Sequence, residues 1–304
     1  MHSQPGQAAR LPLAAKVPEV TLVFWVLKLL TTFGGEAISD WLAPHGYVLT
    51  GAVEVLIAVA AVSVQFRTRR YVAAAYWFLA LAIAIFGTGV SDGLHLVVGI
   101  PYAGTSLLWA VVLGVVFWAW QRSEGTLSFH SITTRRRELF YWATVFATFA
   151  LGTALGDFTA AVLGLGYLGS GVMFAVIFAI PLIARRAFGI NPILAFWCAY
   201  VITRPLGASF ADYIAKPRAL SGLGLGAGLP AVVALAAIIV LVAWLSVTRS
   251  DIQQPRPASA GGPVRRRGPD LTLPDPALSD APTLGFPPIP AREQNRGWPD
   301  PPRQ

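Results

Sequence analysis

Eight stretches of this chain read as apolar runs of the length a bilayer requires, separated by short polar connections. A membrane-spanning helix needs about 20 predominantly apolar residues, and the runs fall at about 20–40, 48–66, 71–92, 103–120, 139–160, 167–184, 192–213 and 226–247. The pattern predicts an all-α integral membrane protein of about eight transmembrane helices. Polar residues are few in the even-numbered runs, while the odd-numbered runs carry charges that cost roughly 2.5 to 3.5 kcal/mol each at the centre of a bilayer. Those charges need a reason.

Aligned on tryptophan, the odd runs read WVLKLLTTFGGEAISD from Trp25, WFLALAIAIFGTGVSD from Trp77, WATVFATFALGTALGD from Trp142 and WCAYVITRPLGASFAD from Trp197. One template fits all four: an aromatic residue, Trp, nine residues, Gly, three residues, a small residue, Asp. The preceding aromatics are Phe24, Tyr76, Tyr141 and Phe196. The chain is therefore read as four tandem parallel copies of a two-helix unit, at about 16–70, 71–134, 135–190 and 191–248. A short N-terminal arm (1–15) precedes them. A Pro- and Arg-rich tail (249–304) follows, whose composition buries too little apolar surface to order itself; it is expected to be disordered, cytoplasmic and available to a protein partner.

Composition agrees with the span count. Hydrophobic residues make up 55% and charged residues 12% of the chain, with a mean hydropathy of +0.60, whereas charged residues alone are about a quarter of a soluble domain. The formal net charge of +8 does not mark a nucleic-acid binder, because the arginines fall in clusters between runs: Arg67, Arg69 and Arg70, then Arg122 and Arg135 to Arg137, then Arg185 and Arg186. The loops after runs one, three and five have no Lys or Arg, so positive-inside bias puts both termini in the cytoplasm. Lys216 and Arg218, in the last outer loop, are the exception. The first run is too long for a signal-peptide core and lacks a clear cleavage site. The single Cys198 excludes an intramolecular disulfide framework and a Cys-based zinc site. The absence of a phosphate-binding Gly-Lys-Ser/Thr loop argues against ATP as the energy source.

Helical geometry assigns roles within the template. Gly35, Gly87, Gly152 with Gly156, and Gly207 form small-xxx-small pairs, the spacing that lets membrane helices approach backbone to backbone. The four odd helices are expected to pack around a centre. Asp40, Asp92, Asp157 and Asp212 flank that stripe, and one turn below them lie Glu36, Thr88, Thr153 and Ala208. With Glu54 of the second run, the acids collect in the outer half of the span. Trp25, Trp77, Trp142 and Trp197 are expected to be interfacial anchors, Lys28 to snorkel to the cytoplasmic side, and Arg204, followed by Pro205, to form an ion pair.

The fourfold template, together with KVPEVTLVFW from Lys16, TRRRELFYW from Thr134 and NPILAFWCAYVITRPLGASFAD from Asn191, resembles a bacterial family of membrane-anchored proteins built from a repeat of unknown function. The resemblance covers about residues 16–250 and implies four repeats, about eight helices and residence in the bacterial inner membrane. It implies no activity.

The chemistry of the residues points to a membrane transporter of a cation. Oxygen ligands suit hard ions, so a divalent metal such as manganese is the expected substrate, with Glu36, Asp40, Glu54, Asp92, Asp157, Asp212, Thr88 and Thr153 as cation-binding or proton-relay candidates and Asp92, Asp157 and Asp212 as metal ligands. Carboxylates sharing one space repel, so proton exchange is expected to accompany binding. The expected partners are the lipid bilayer and the small cation, with no resident cofactor. The alternative is a non-transporting scaffold or envelope-stress protein whose carboxylates serve interhelical packing. An enzyme is not expected, since an aspartyl dyad needs two acids set apart from the rest and here one position recurs four times.

Overall fold

A computed structural model of the chain describes residues 15–252; the residues before and after, with most of the expected arm and tail, lie outside the described set. Eight helices account for its long elements: α1 (Leu22–Leu42), α2 (Tyr47–Arg67), α3 (Ala73–Leu96), α4 (Tyr102–Glu124), α5 (Arg135–Asp157), α6 (Gly166–Phe188), α7 (Pro192–Ala215) and α8 (Gly228–Thr248). All eight are long and apolar enough to cross a membrane, and the described residues contain no strand. The starts follow local chemistry. Thr21 and Thr134 accept the amide protons of Phe24 and Arg137, and Asn191 caps the turn opened by Pro192, the residue types that satisfy the orphan donors of a first turn.

Odd and even helices have different environments. The apolar windows of α3 and α5 are 72% buried, those of α2, α6 and α8 only 22%. The reason is a closed ring. Helix α1 packs on α3, α3 on α5, α5 on α7, and α7 returns to α1, while each even helix packs on the odd helix that follows it, with α8 closing onto α1. An even helix barely touches the odd helix of its own repeat.

The template explains the closure at two levels. At the first, each template glycine receives the residue seven after Trp from the next helix. A Cβ on Gly35 would collide with Ala84, one on Gly87 would stand 2.9 Å from Phe149 Cβ, one on Gly152 would run into Arg204 and Pro205, and one on Gly207 would strike Thr32. Gly156 differs: a Cβ there meets nothing nearer than Ser209 Oγ at 3.6 Å. Close approach of backbones is the means by which membrane helices gain packing energy without a hydrophobic drive.

At the second level, the aromatic residue before each Trp packs on the Trp of the next helix: Phe24 on Trp77 (5.7 Å between centroids), Tyr76 on Trp142 (5.2 Å), Tyr141 on Trp197 (6.2 Å) and Phe196 on Trp25 (5.9 Å). The expected interfacial anchors are therefore corrected. Trp77, Trp142 and Trp197 are buried inside the ring, and Trp25 is half-buried against Phe178 of α6. All four pairs are tilted, with interplanar angles of 49° to 53°, and they interlock the four helices in one aromatic layer.

The ring thus has a Trp end and an Asp end. Across the Trp end run residues 15–21, where the Lys16 amide donates to Ile132 O, and residues 249–252, where Asp251 O accepts from the Glu19 amide and its carboxylate accepts from Tyr71. Lys16 Nζ reaches Glu138 Oε2 at 2.7 Å, and Gln65 Nε2 donates to Glu138 Oε1 at 2.9 Å.

Candidate functional site

At mid-ring, the Arg204 guanidinium, fully buried, touches all three other odd helices. Its Nη2 lies 2.6 Å from Glu36 Oε2 of α1, donates to Thr153 Oγ1 of α5 at 2.8 Å and also bonds to Thr88 Oγ1 of α3. Nη1 donates to Thr32 O at 2.6 Å and Nε to Phe149 O at 3.2 Å. The hydroxyls of Thr88 and Thr153 donate in turn to Glu36 Oε2, at 3.0 and 3.1 Å. Fork-like donors and an ionised acceptor make these the strong class of hydrogen bond. Glu36, Thr88 and Thr153, expected as ligands along a cation path, therefore converge on a guanidinium of the protein itself. The fourth repeat has Ala208 at their template position and delivers its polar group from one turn earlier.

Towards the Trp end, Lys28 does not snorkel. Its side chain is buried at 1% exposure, and Nζ stands over the rings of Phe149 and Tyr200 at 3.9 and 4.0 Å from their centroids. The physical reason is the ring: Lys28 is on the inner face of α1, three residues after Trp25, so no route to an interface is open. Below it the hydroxyls of Tyr76 and Tyr141 hydrogen-bond to each other.

Towards the Asp end lies the acidic rim. Glu36, Asp40 and Asp212 bring one carboxylate oxygen each within 4.8 Å of one another. Lys216 bridges two of them, with Nζ 2.8 Å from Asp40 Oδ2 and 3.5 Å from Asp212 Oδ1. Burial alone would depress the Lys216 ammonium, but Asp212, Asp40 and Glu36 outweigh it and hold its pKa above the ordinary lysine value. Asp92 and Asp157 lie in electrostatic range of each other and of Glu36 and Asp40, yet accept no hydrogen bond among the described residues. The trio expected as metal ligands is thus corrected: the acids whose oxygens come together are Glu36, Asp40 and Asp212, while Asp92 and Asp157 stand apart from that group. Glu54 is turned aside, accepting from Ser39 Oγ at 2.7 Å and lying so close over Gly89 that a Cβ there would overlap its carboxylate.

Lys216 was not among the candidates, though the signal was present. It is the exception to the charge-free outer loops, four residues after Asp212, the spacing that puts two residues on one helical face. One further turn shapes the rim. The chain leaves Asp157 through a π-helical turn, Phe158–Val162, a wider turn often found at functional sites, and Thr159 bonds back to Gly156 O at 2.9 Å.

Comparison with known families returns one description, Repeat of Unknown Function (DUF347), matched at residues 75–126, 140–190 and 195–251. The chain belongs to this family. The three matched units cover most of α3 with α4, α5 with α6, and α7 with α8; α1 and α2 lie before the first matched residue, and α1 completes the ring by the same glycine and aromatic contacts. No curated protein and no solved structure matches the chain.

Proposed function

We propose that the protein carries a small hard cation, a divalent ion such as manganese, across the bacterial inner membrane in exchange with protons, with both termini cytoplasmic and the Asp end outward. The observation that carries this reading is the acidic rim: Glu36, Asp40 and Asp212 brought together, with Asp92 and Asp157 in electrostatic range and Lys216 as the counter-charge. A ring of carboxylates raises the local concentration of cations and favours their entry.

Two features favour a carrier over an open pore. Arg204 places a fixed positive charge at the centre of the ring, where it repels a bare cation as the arginine of a water-selective pore does. Lys216 occupies the carboxylates an ion would use, so binding is a competition. An arriving ion displaces the ammonium from Asp40 and Asp212, and passage further requires Arg204 to release Glu36. Each step is a discrete exchange of partners, which suits alternating states.

The test is flux into vesicles reconstituted with the full chain, over Mn2+, Mg2+, Ca2+, Zn2+ and Co2+, with and without a pH gradient. Native protein is expected to move one of them, and Asp40→Asn and Asp212→Asn to reduce the rate at least tenfold while Glu54→Gln, off the rim, has a smaller effect. Failure of every ion to move, with all variants folded, would transfer the carboxylates to interhelical packing and favour the scaffold reading, which the fully bonded Arg204 cluster would also serve.

A further inference from the structure

A groove of about 1060 Å3 opens on the outside of the ring between α4 and α6, with α7 as its floor. Phe117 of α4, Ile177 and Ile180 of α6 and Leu194 and Val201 of α7 line it with hydrocarbon, and polar groups appear towards its Trp end, where Gln121, Thr126 and Asn191 face it. Arg122 follows Gln121 directly, and Arg185 follows the lining residue Ala184, with Arg186 beside it. All three arginines are exposed and none has an ion-pair partner among the described residues. The acid closest in sequence, Glu124, is already engaged by Arg136 and Arg137 at 3.5 and 2.8 Å.

We propose that this groove is a binding site for an anionic phospholipid, with an acyl chain laid along α7 and the headgroup phosphate held by Arg122, Arg185 and Arg186. The walls belong to helices that face outward in a membrane-spanning chain, so a hydrocarbon chain is always at hand. Exposed guanidinium groups next in sequence to lining residues at the polar end of such a groove favour phosphate, because their planar forks match its oxygens. Ordinary annular lipid has no such preference. Cys198, the chain's only cysteine, is exposed and lines the groove, which gives a plug at a single defined point.

The full chain in detergent micelles is titrated with phosphatidylglycerol or with phosphatidylcholine of the same acyl chains, and retained lipid is counted by native mass spectrometry. Phosphatidylglycerol is expected to be retained at a concentration at least tenfold lower. Substituting Arg122, Arg185 and Arg186 by Gln, surface changes checked by an unaltered melting temperature, should abolish the preference. A bulky maleimide on Cys198 should displace the lipid, and glycerol phosphate, which has a headgroup and no chain, should not compete. Equal retention of the two lipids, a preference that survives the arginine substitutions, or loss of a dimer instead of a lipid on Cys198 modification would each overturn the assignment. The outcome is independent of whether the protein transports a cation.

Discussion

Replacing Arg204 by Met isolates the centre of the ring. The native guanidinium is wholly excluded from solvent and Glu36 is 2% exposed, so the single variant strands a buried carboxylate with two hydroxyl donors and removes the second donor of the helical carbonyls Thr32 O and Phe149 O. Removing one member of a buried pair costs about 3 to 5 kcal/mol, because the remaining charge is uncompensated. Replacing both charged residues (Glu36→Leu with Arg204→Met) removes that charge as well. Thr88 can fall back on Ala84 O, already 3.0 Å away. The double variant is therefore expected to recover at least about 2 kcal/mol of the loss, the sign expected when apolar residues replace a buried ion pair. Unfolding by SDS in mixed micelles, followed by near-ultraviolet circular dichroism, gives the free energies. If Arg204→Met costs under about 1 kcal/mol, or the double variant is no more stable than that single one, Arg204 is not the tie described and the ring is held by its glycine and aromatic contacts alone.

Gly35→Ala must push α1 off Ala84, whose carbonyl carbon stands 3.0 Å from the added Cβ, and overpacking of this kind costs about 1 to 3 kcal/mol; Gly156→Ala has ordinary contact distance and should leave the melting temperature unchanged, so equal effects would undo the distinction. Lys28→Met removes a buried amine that has no hydrogen-bond acceptor among the described residues and is expected to raise thermal stability, a fall being the contrary result. Lys216 has a folded-state pKa above its ordinary value, so the stability its own titration adds is fully present below about pH 10 and is lost only as pH rises through the higher folded value; Lys216→Met should therefore melt below native protein at pH 7, and an equal or higher melting temperature would refute the assignment. In the same variant, divalent-ion affinity measured by calorimetry should increase, because the competing ammonium has gone.

The ring was legible in outline from the sequence, since four glycines at one offset from Trp require four close contacts and a closed set of four is the simplest way to supply them. What escaped was direction: no pattern states that each glycine meets the residue seven after the next Trp, because that depends on how far one helix is advanced around its neighbour. The tryptophans misled for a physical reason. An indole has an apolar body and one donor, so it suits a lipid interface and a packed aromatic layer equally, and the aromatic residue before each one was the only hint of the second. Lys28 was read from the length of its side chain and not from its place on the inner face. Arg204 was visible as a charge too deep to ignore, but its bonds to Thr88 and Thr153 cross helices whose separation no single sequence encodes.

Because α8 and α7 complete the surroundings of α1, the first of these eight helices to be made is the last to be enclosed. Between Leu42 and Ala215 about 170 residues must be synthesised, roughly 9 to 35 s at 5 to 20 residues per second. Throughout that interval Glu36 has no arginine and Lys28 no aromatic cradle from α7, each a charge costing roughly 2.5 to 3.5 kcal/mol in lipid. Biogenesis must therefore shelter α1, at the insertion machinery or against a chaperone, until the seventh helix arrives. A chain that stops after α6 keeps that uncompensated acid for good, since the arginine that pairs with it is in α7.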